Sequence, residues 1–277
     1  MSEDRNDMSP EDWWSTSIIE MQPGVIRYRG YAIEDLIGRV GFAEMVYLLT
    51  RGELPSKPAA RLLEAALVSA VDHGPQAPSI AIARIAVTCG VDINNAMASA
   101  VNVLGDVHGG AGEQCVTLLN AIAARLPAGA ASAAAIDEAV SAELDALKAK
   151  GVTHVPGFGH RFHPVDPRAP RLLALVDEAV RDGAVTGRYA AIARAVEAAI
   201  AARRGGRPVP MNIDGATGVI FAELGFAPPL CRGLFVLSRS VGVLAHAWEE
   251  SQSGYRNKGP MPRHLIWTYR GPPPRDV

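Results

Sequence analysis

The stretch PAARLLEAALVSAVD, Pro58 to Asp72, decides the fold class. Leu62, Leu63, Ala66, Leu67 and Ala70 recur at the spacing of one helical face, and Gly74-Pro75 follows as a stop signal. Outward from it, the same period dominates. Residues 79 to 104 read as helix rich in small residues, broken near Gly90 and ending at Gly105, and a further helix starts from about Glu113. The alanine-rich tract from Ala128 to Lys150 spaces Ile136, Val140, Leu144 and Leu147 at i, i+4, i+8 and i+11, which marks a surface helix rather than low complexity. Residues 171 to 204 read as helical again. The last long helix runs from about Pro229 to Glu250, with Leu234, Leu237, Val241, Leu244 and Trp248 as its expected core stripe. The clearest strand candidate is one short alternating run, Gly24 to Gly30. The expected class is mainly α. Beyond Ser253 the proline-rich YRNKGPMPRHLIWTYRGPPPR reads as extended chain whose aromatics pack against something.

With 277 residues, 48% of them hydrophobic, the chain has material for one large core or two modest ones. Its 27 basic and 29 acidic residues leave a net charge of −2, so no long-range field draws nucleic acid or an anionic membrane, and any anion must be held by local arginines. The opening MSEDRNDMSPEDWW lacks the pattern of a secretory signal, and no apolar run is expected to span a bilayer. Cys89, Cys115 and Cys231 are odd in number and scattered, which argues against a disulfide framework or a zinc site and for a reducing cytoplasm.

The densest chemistry lies in HVPGFGHRFHPVDPR, His154 to Arg168. Its glycines permit positive φ or close approach to a ligand, and Pro156, Pro164 and Pro167 stiffen it, so it reads either as a preset binding loop or as a rigid solvated connector. His160 and His163 have the spacing of a metal pair, but no nearby Asp, Glu or Cys suggests a completed ligand set, and none is expected. In GDVHGG, His108 is either a helix C-terminal histidine serving the dipole or an imidazole that accepts from backbone and donates to a substrate oxygen. In NIDG, Asp214 is either an ordinary N-cap or a buried acid/base with a raised pKa. On the last helix Arg239, Gly242 and His246 fall opposite the apolar stripe, where they either face water or bind a carboxylate, and His73 in DHG has the same two readings.

Taken in order, RGYAIEDL, VDHGP, GDVHGGAGE, VPGFGHRFHPVDPR, NIDGATGVIF and LSRSVGVLAHAWE resemble the citrate synthase superfamily over nearly the whole chain from about Trp13. The resemblance implies a helical homodimer, or higher homo-oligomer, with a large and a small domain around a cleft. In this chain those would be residues 1–110 and 227–277 for the large domain and 111–226 for the small one. It implies acyl-CoA, oxaloacetate or citryl-CoA as substrates, with no metal. His108, His160 and Asp214 match the catalytic residues: donor to the enolate, partner of the keto acid's carbonyl or hydroxyl, and acid/base at the α-carbon. His73, Arg168, Arg239 and Arg256 match substrate-binding positions, Arg256 reaching a neighbouring subunit's site, and Val155, Pro156, Gly157, Phe158 and Gly159 match the loop that receives the adenine end of coenzyme A.

Three departures look nearer to citryl-CoA lyases and the lyase module of ATP-citrate lyase than to typical citrate synthases, which are longer. They are DHGP, NIDG and the YR…P…Y tail, in which Gly259-Pro260 stands where an arginine-proline pair is usual. The expected activity is therefore cleavage of citryl-CoA to acetyl-CoA and oxaloacetate by retro-Claisen/aldol chemistry. The alternatives are a citrate or 2-methylcitrate synthase, and a non-catalytic acyl-CoA-binding subunit of a ligase complex.

Overall fold

Capping and breaking residues set where each helix starts. The computed structural model describes residues 9–129, 131–160 and 163–276; Arg161 and Phe162 of the histidine-rich loop lie outside them. A short helix α1 (Pro10–Trp13) precedes the antiparallel sheet β1 (Ile19–Gln22), β2 (Val25–Tyr28) and β3 (Tyr31–Ala32), ordered β1-β2-β3, so the expected strand is the central one. Helices follow: α2 (Ile33–Leu36), α3 (Phe42–Arg51), α4 (Lys57–Ser69), α5 (Pro78–Thr88), α6 (Ile93–Asn102) and α7 (Ala111–Ala123). Then come α8 (Ala133–Ala149), α9 (Arg168–Arg181), α10 (Arg188–Arg203), α11 (Ile213–Glu223) and α12 (Pro228–Ser251). The Oγ atoms of Ser56 and Ser132 accept from the first turns of α4 and α8, relieving amides that have no partner inside the helix.

The expected single helical stretch over 171–204 is two helices. Gly183 and Gly187 both have positive φ in the turn between them, and the Glu223 carboxylate accepts from Gly187, Tyr189 and Ala190 N–H, so α10 is capped from another element. No local pattern announces a cap supplied from 36 residues away.

Two apolar clusters organise the helices. In the larger, α11 is buried at every residue from Gly215 to Ala222 and packs on α4, α7, α9 and α10; a helix apolar all round belongs inside. The smaller joins Ala77, Ile80 and Ala83 of the α5 region to Ala96 and Ala100 of α6 and Val243 and Ala247 of α12.

Helix α12 is turned over relative to its expected stripe. Leu234 is buried, but Leu237, Val241, Leu244 and Trp248 are 37%, 57%, 46% and 60% exposed, whereas Ser238, Arg239, Gly242, Val243, Ala247 and Glu250 are buried. Small residues win the inner face because α12 runs close against α4, α5 and α6: Gly242 N–H donates to the Val71 carbonyl at 3.1 Å, leaving no room for a side chain. By length and composition alone α12 is long and apolar enough to cross a membrane, where no such run was expected. Its buried Arg239 and Glu250 are those of a helix packed within a polar-lined fold. The tail is pinned only at its start, where Asn257 and Lys258 N–H donate to Thr88; beyond it Leu265, Ile266, Trp267 and Tyr269 are exposed, so the expected packing partner is not within this chain's described residues.

An added Cβ at Gly242 would lie 2.2 Å from the Val71 carbonyl oxygen, whereas at Gly233 of the same helix nothing lies within 4 Å. Gly242→Ala should therefore cost about 2–3 kcal/mol by overpacking, and Gly233→Ala should be neutral or stabilise by up to about 1 kcal/mol. Urea denaturation of both variants checks this; equal midpoints would remove the close approach of α12 to α4.

Candidate active site

The loop before α9 is folded onto the start of α11 by glycines that have no space for a side chain. Gly157 and Gly159 have φ +87 and +82, and a Cβ on Gly157 would meet Cys115 Sγ at 2.7 Å and Gly215 Cα at 2.8 Å. The close approach of Gly157 is thus to α11, and that of Gly159 to Val209 just before it. Gly159 N–H donates to the Pro210 carbonyl, Asn212 N–H to Gly157, and Asn212 Nδ2 to the Gly159 carbonyl at 2.6 Å. Phe158 is buried in the larger cluster, with Val155 packed against it.

Asn212 is the N-cap of α11: its Oδ1 accepts from Asp214 and Gly215 N–H at 2.9 and 3.1 Å. The ordinary N-cap reading of Asp214 is thereby excluded, and its carboxylate is left for other work. Burial pushes the Asp214 carboxyl up, Arg168 and Arg239 pull it back, and Asp166 adds to the upward push, leaving it raised.

Asp166 has the opposite setting. Its fully buried carboxylate takes Arg168 Nε and Nη2 at 2.9 Å each, and the backbone amides of Arg168 and Ile213. Burial alone would raise it, but these donors outweigh burial and hold it at about 2. It was not among the expected site residues; it stands inside the DPR motif, but a sequence does not show that it is buried. Arg168 is held on one edge by this pair, with its remaining Nη1 3.4 Å from the Ser69 carbonyl.

His108 sits in the loop between α6 and α7 and its Nε2 is met by Ser79 N–H at 3.2 Å and Ser79 Oγ at 3.0 Å. A backbone amide can only donate, so Nε2 is the unprotonated nitrogen and Nδ1 carries the proton. Burial, and then the charge of Arg239, hold the imidazole below its ordinary range, and the amide belongs to the first turn of α5, whose dipole also disfavours an imidazolium. The helix-dipole reading of His108 fails on this geometry: His108 serves no helix C-terminus and is fixed as a neutral donor.

His160 is fixed in the other sense. His163 N–H donates to its Nδ1 at 3.0 Å, which assigns the proton to Nε2. Its ring lies 6.0 Å, centroid to centroid, from that of His73, and 4.6 Å from that of His163. Burial lowers the pKa of both His73 and His160; Arg239, Arg168 and His160 lower His73 further, while Asp166 partly restores His160.

Arg239, 5% exposed, donates from Nε to the Ala70 carbonyl at 3.2 Å and stacks 4.9 Å over Phe235. Its charge acts on His73, His108 and Asp214 alike. Six expected residues are thus linked electrostatically: the charge of Arg239 acts on His73, His108 and Asp214, and that of Arg168 on His73, His160 and Asp214. Arg256 does not join them: Asn257 beside it is tied to Thr88, nine residues along α5 from Ser79, about 14 Å at the helical rise.

The family described as "Citrate synthase, C-terminal domain" matches residues 10–60 and 55–263. The citrate synthase of Deinococcus radiodurans is 32% identical over 212 residues, which are 75% of this chain and 51% of that protein. This chain spans about half the length of the citrate synthases it matches. Among solved structures, the citryl-CoA lyase from Hydrogenobacter thermophilus superposes with a TM-score of 0.81 at 30% identity, covering 95% of this chain and 97% of that one. The ATP citrate lyase from Methanothrix soehngenii, in complex with citrate and coenzyme A, gives 0.74 at 22% identity, covering 93% and 42%, a likeness of fold.

The two aspartates should respond oppositely to neutralisation. Asp166→Asn breaks a buried pair and should cost roughly 3 kcal/mol at pH 7. Because the folded pKa of Asp166 is depressed, that contribution is present above 3.8 and is lost as pH falls through about 2, so the gap from the parent protein should narrow below about pH 4. Asp214, whose pKa is raised, opposes folding when ionised, so Asp214→Asn should match or exceed the parent's stability at pH 7. Urea denaturation over a pH series reads both; a destabilised Asp214→Asn would contradict the assignment.

Proposed function

The chain belongs to the citrate synthase family, and from that premise we propose that it cleaves citryl-CoA to acetyl-CoA and oxaloacetate. The observation that carries the reading is the pairing of His108, fixed as a neutral donor by Ser79, with Asp214, released from capping by Asn212. In cleavage the substrate hydroxyl becomes the keto acid's carbonyl as the carbon–carbon bond breaks, and the departing fragment is a thioester enolate. His108 Nδ1–H hydrogen-bonds the enolate oxygen, where one such donor is typically worth ~10²–10³ in rate. Asp214, in its protonated form, delivers the proton to the α-carbon; a raised pKa suits an acid in this direction. The hydroxyl proton leaves to water as the carbon–carbon bond breaks, His160 Nε2–H hydrogen-bonds the oxygen that becomes the carbonyl, and Arg239 and Arg168, with His73, hold the carboxylates. Val155 to Gly159 receive the adenine end of coenzyme A. The residues fit this chemistry without a metal.

Cleavage is preferred to net condensation because the likeness to a citryl-CoA lyase runs through nearly the whole of both chains. We place the protein in the cytoplasm, in keeping with its free thiols, and take residues 111–226 as a small domain closing on the rest. We also propose a homodimer. Leu237, Val241, Leu244 and Trp248 form an apolar stripe along α12, and the tail carries Leu265, Ile266, Trp267 and Tyr269 outward. A second copy covering both would bring Arg256 toward the neighbouring site.

Purified protein given citryl-CoA should release oxaloacetate without free coenzyme A, and Asp214→Asn should lower this at least ~10²-fold with coenzyme A affinity intact. Release of coenzyme A from acetyl-CoA and oxaloacetate would instead make it a synthase, and silence in both mixtures would favour the non-catalytic subunit. Sedimentation should give a dimer, and Leu244→Glu with Trp248→Glu should produce a less active monomer. A fully active monomer would reject the shared site.

A further inference from the structure

We infer that His246 is a positioning residue for His73, acting through the Asp72 turn. The inference rests on the proposed function for what His73 binds, but its geometry stands alone. His246 Nδ1 lies 2.8 Å from Arg84 Nη1, and since a guanidinium only donates, Nδ1 accepts and Nε2 carries the proton. Nε2 then faces Asp72 Oδ1 at 3.2 Å. Asp72 Oδ2 accepts from Gly74 N–H at 3.0 Å, bridging across His73, so Asp72 shapes the turn that carries His73. The Asp72 carboxyl, raised by burial, is brought below its ordinary value by the backbone amides of Gly74 and His73 and by His246.

The brace behind His246 is unusually firm. Arg84 pairs with Glu249 at 3.1 Å and with Glu250, whose side chain is fully buried, and Lys258 at the start of the tail pairs with Glu250 at 2.8 Å. A buried carboxylate with two cations costs stability unless its geometry is kept, so this cluster holds one arrangement. Arg84 and Ser79 also share α5, five residues apart, about 7.5 Å along its axis. Helix α5 therefore holds His108 through Ser79 and His73 through Arg84, His246 and Asp72. The spacing between the enolate donor and the keto acid's histidine is set by one rigid element.

The test compares His246→Leu, which removes both bonds, with His246→Gln, whose amide can accept from Arg84 and donate to Asp72. Long-range ¹⁵N–¹H spectra of the seven imidazoles, with His73 assigned by its own substitution, should show His73 displaced in His246→Leu and restored in His246→Gln. Calorimetry with oxaloacetate should show affinity falling about tenfold or more in the first and recovering to within a few-fold in the second, with coenzyme A affinity unchanged in both. An unmoved His73 resonance, or a glutamine variant as displaced as the leucine one, overturns the inference. If the parent protein binds no oxaloacetate, the functional reading fails while the spectra still decide the positioning role. Should His246→Leu not fold, Asp72→Asn cuts the same link from its exposed side, since one amide oxygen cannot serve both His246 and the turn, and it must displace His73 likewise.

Discussion

The carboxylate of Asp166 holds the site together. By taking Arg168 on two nitrogens and Ile213 N–H on the same group, it ties the first residue of α9 to the first residue of α11. Those two helix starts carry Arg168 and Asp214, and the loop bearing His160 ends on the same group. A buried anion of this kind is stable only while its donors keep their geometry, which is why one interaction can fix three elements.

Around that anchor the site separates two carboxyls that are close in space. Asp166 is surrounded by donors and stays ionised; Asp214 has its own amide and that of Gly215 taken by Asn212, keeps an apolar helix behind it, and is pushed toward protonation. The histidines are separated just as sharply. Ser79 leaves His108 with its proton on Nδ1, and His163 leaves His160 with its proton on Nε2. The histidines differ through a backbone amide aimed at one ring nitrogen, and the carboxyls through the Arg168 guanidinium on one and burial of the other, rather than through residue type.

Helix α12 combines a small, polar inner face with an apolar outer one. Close approach to α4 requires Gly242 and lets Arg239 reach the Ala70 carbonyl, while the larger apolar side chains are displaced to the outside. One helix therefore contributes an arginine to the site from its inside and a surface suited to a partner from its outside.

Much of this was legible in the residues. Helical periodicity determined the α class, glycine and proline marked most of the breaks, and the order of motifs named six residues whose charges act on one another. Single-residue chemistry left Asp214 and His108 ambiguous, because capping and catalysis use the same side chains, and it said nothing of Ser79, Asn212, Asp72 or the buried state of Asp166. It also assigned the apolar stripe of α12 to the core, since hydrophobicity along a helix cannot say whether the covering surface lies in the same chain. What the sequence by itself determined was element type and the inventory of reactive groups, which depend on local spacing. Which amide faces which nitrogen, which carboxylate keeps its charge and which face of α12 is inside were decided only by the tertiary structure, because each depends on atoms brought together from distant parts of the chain.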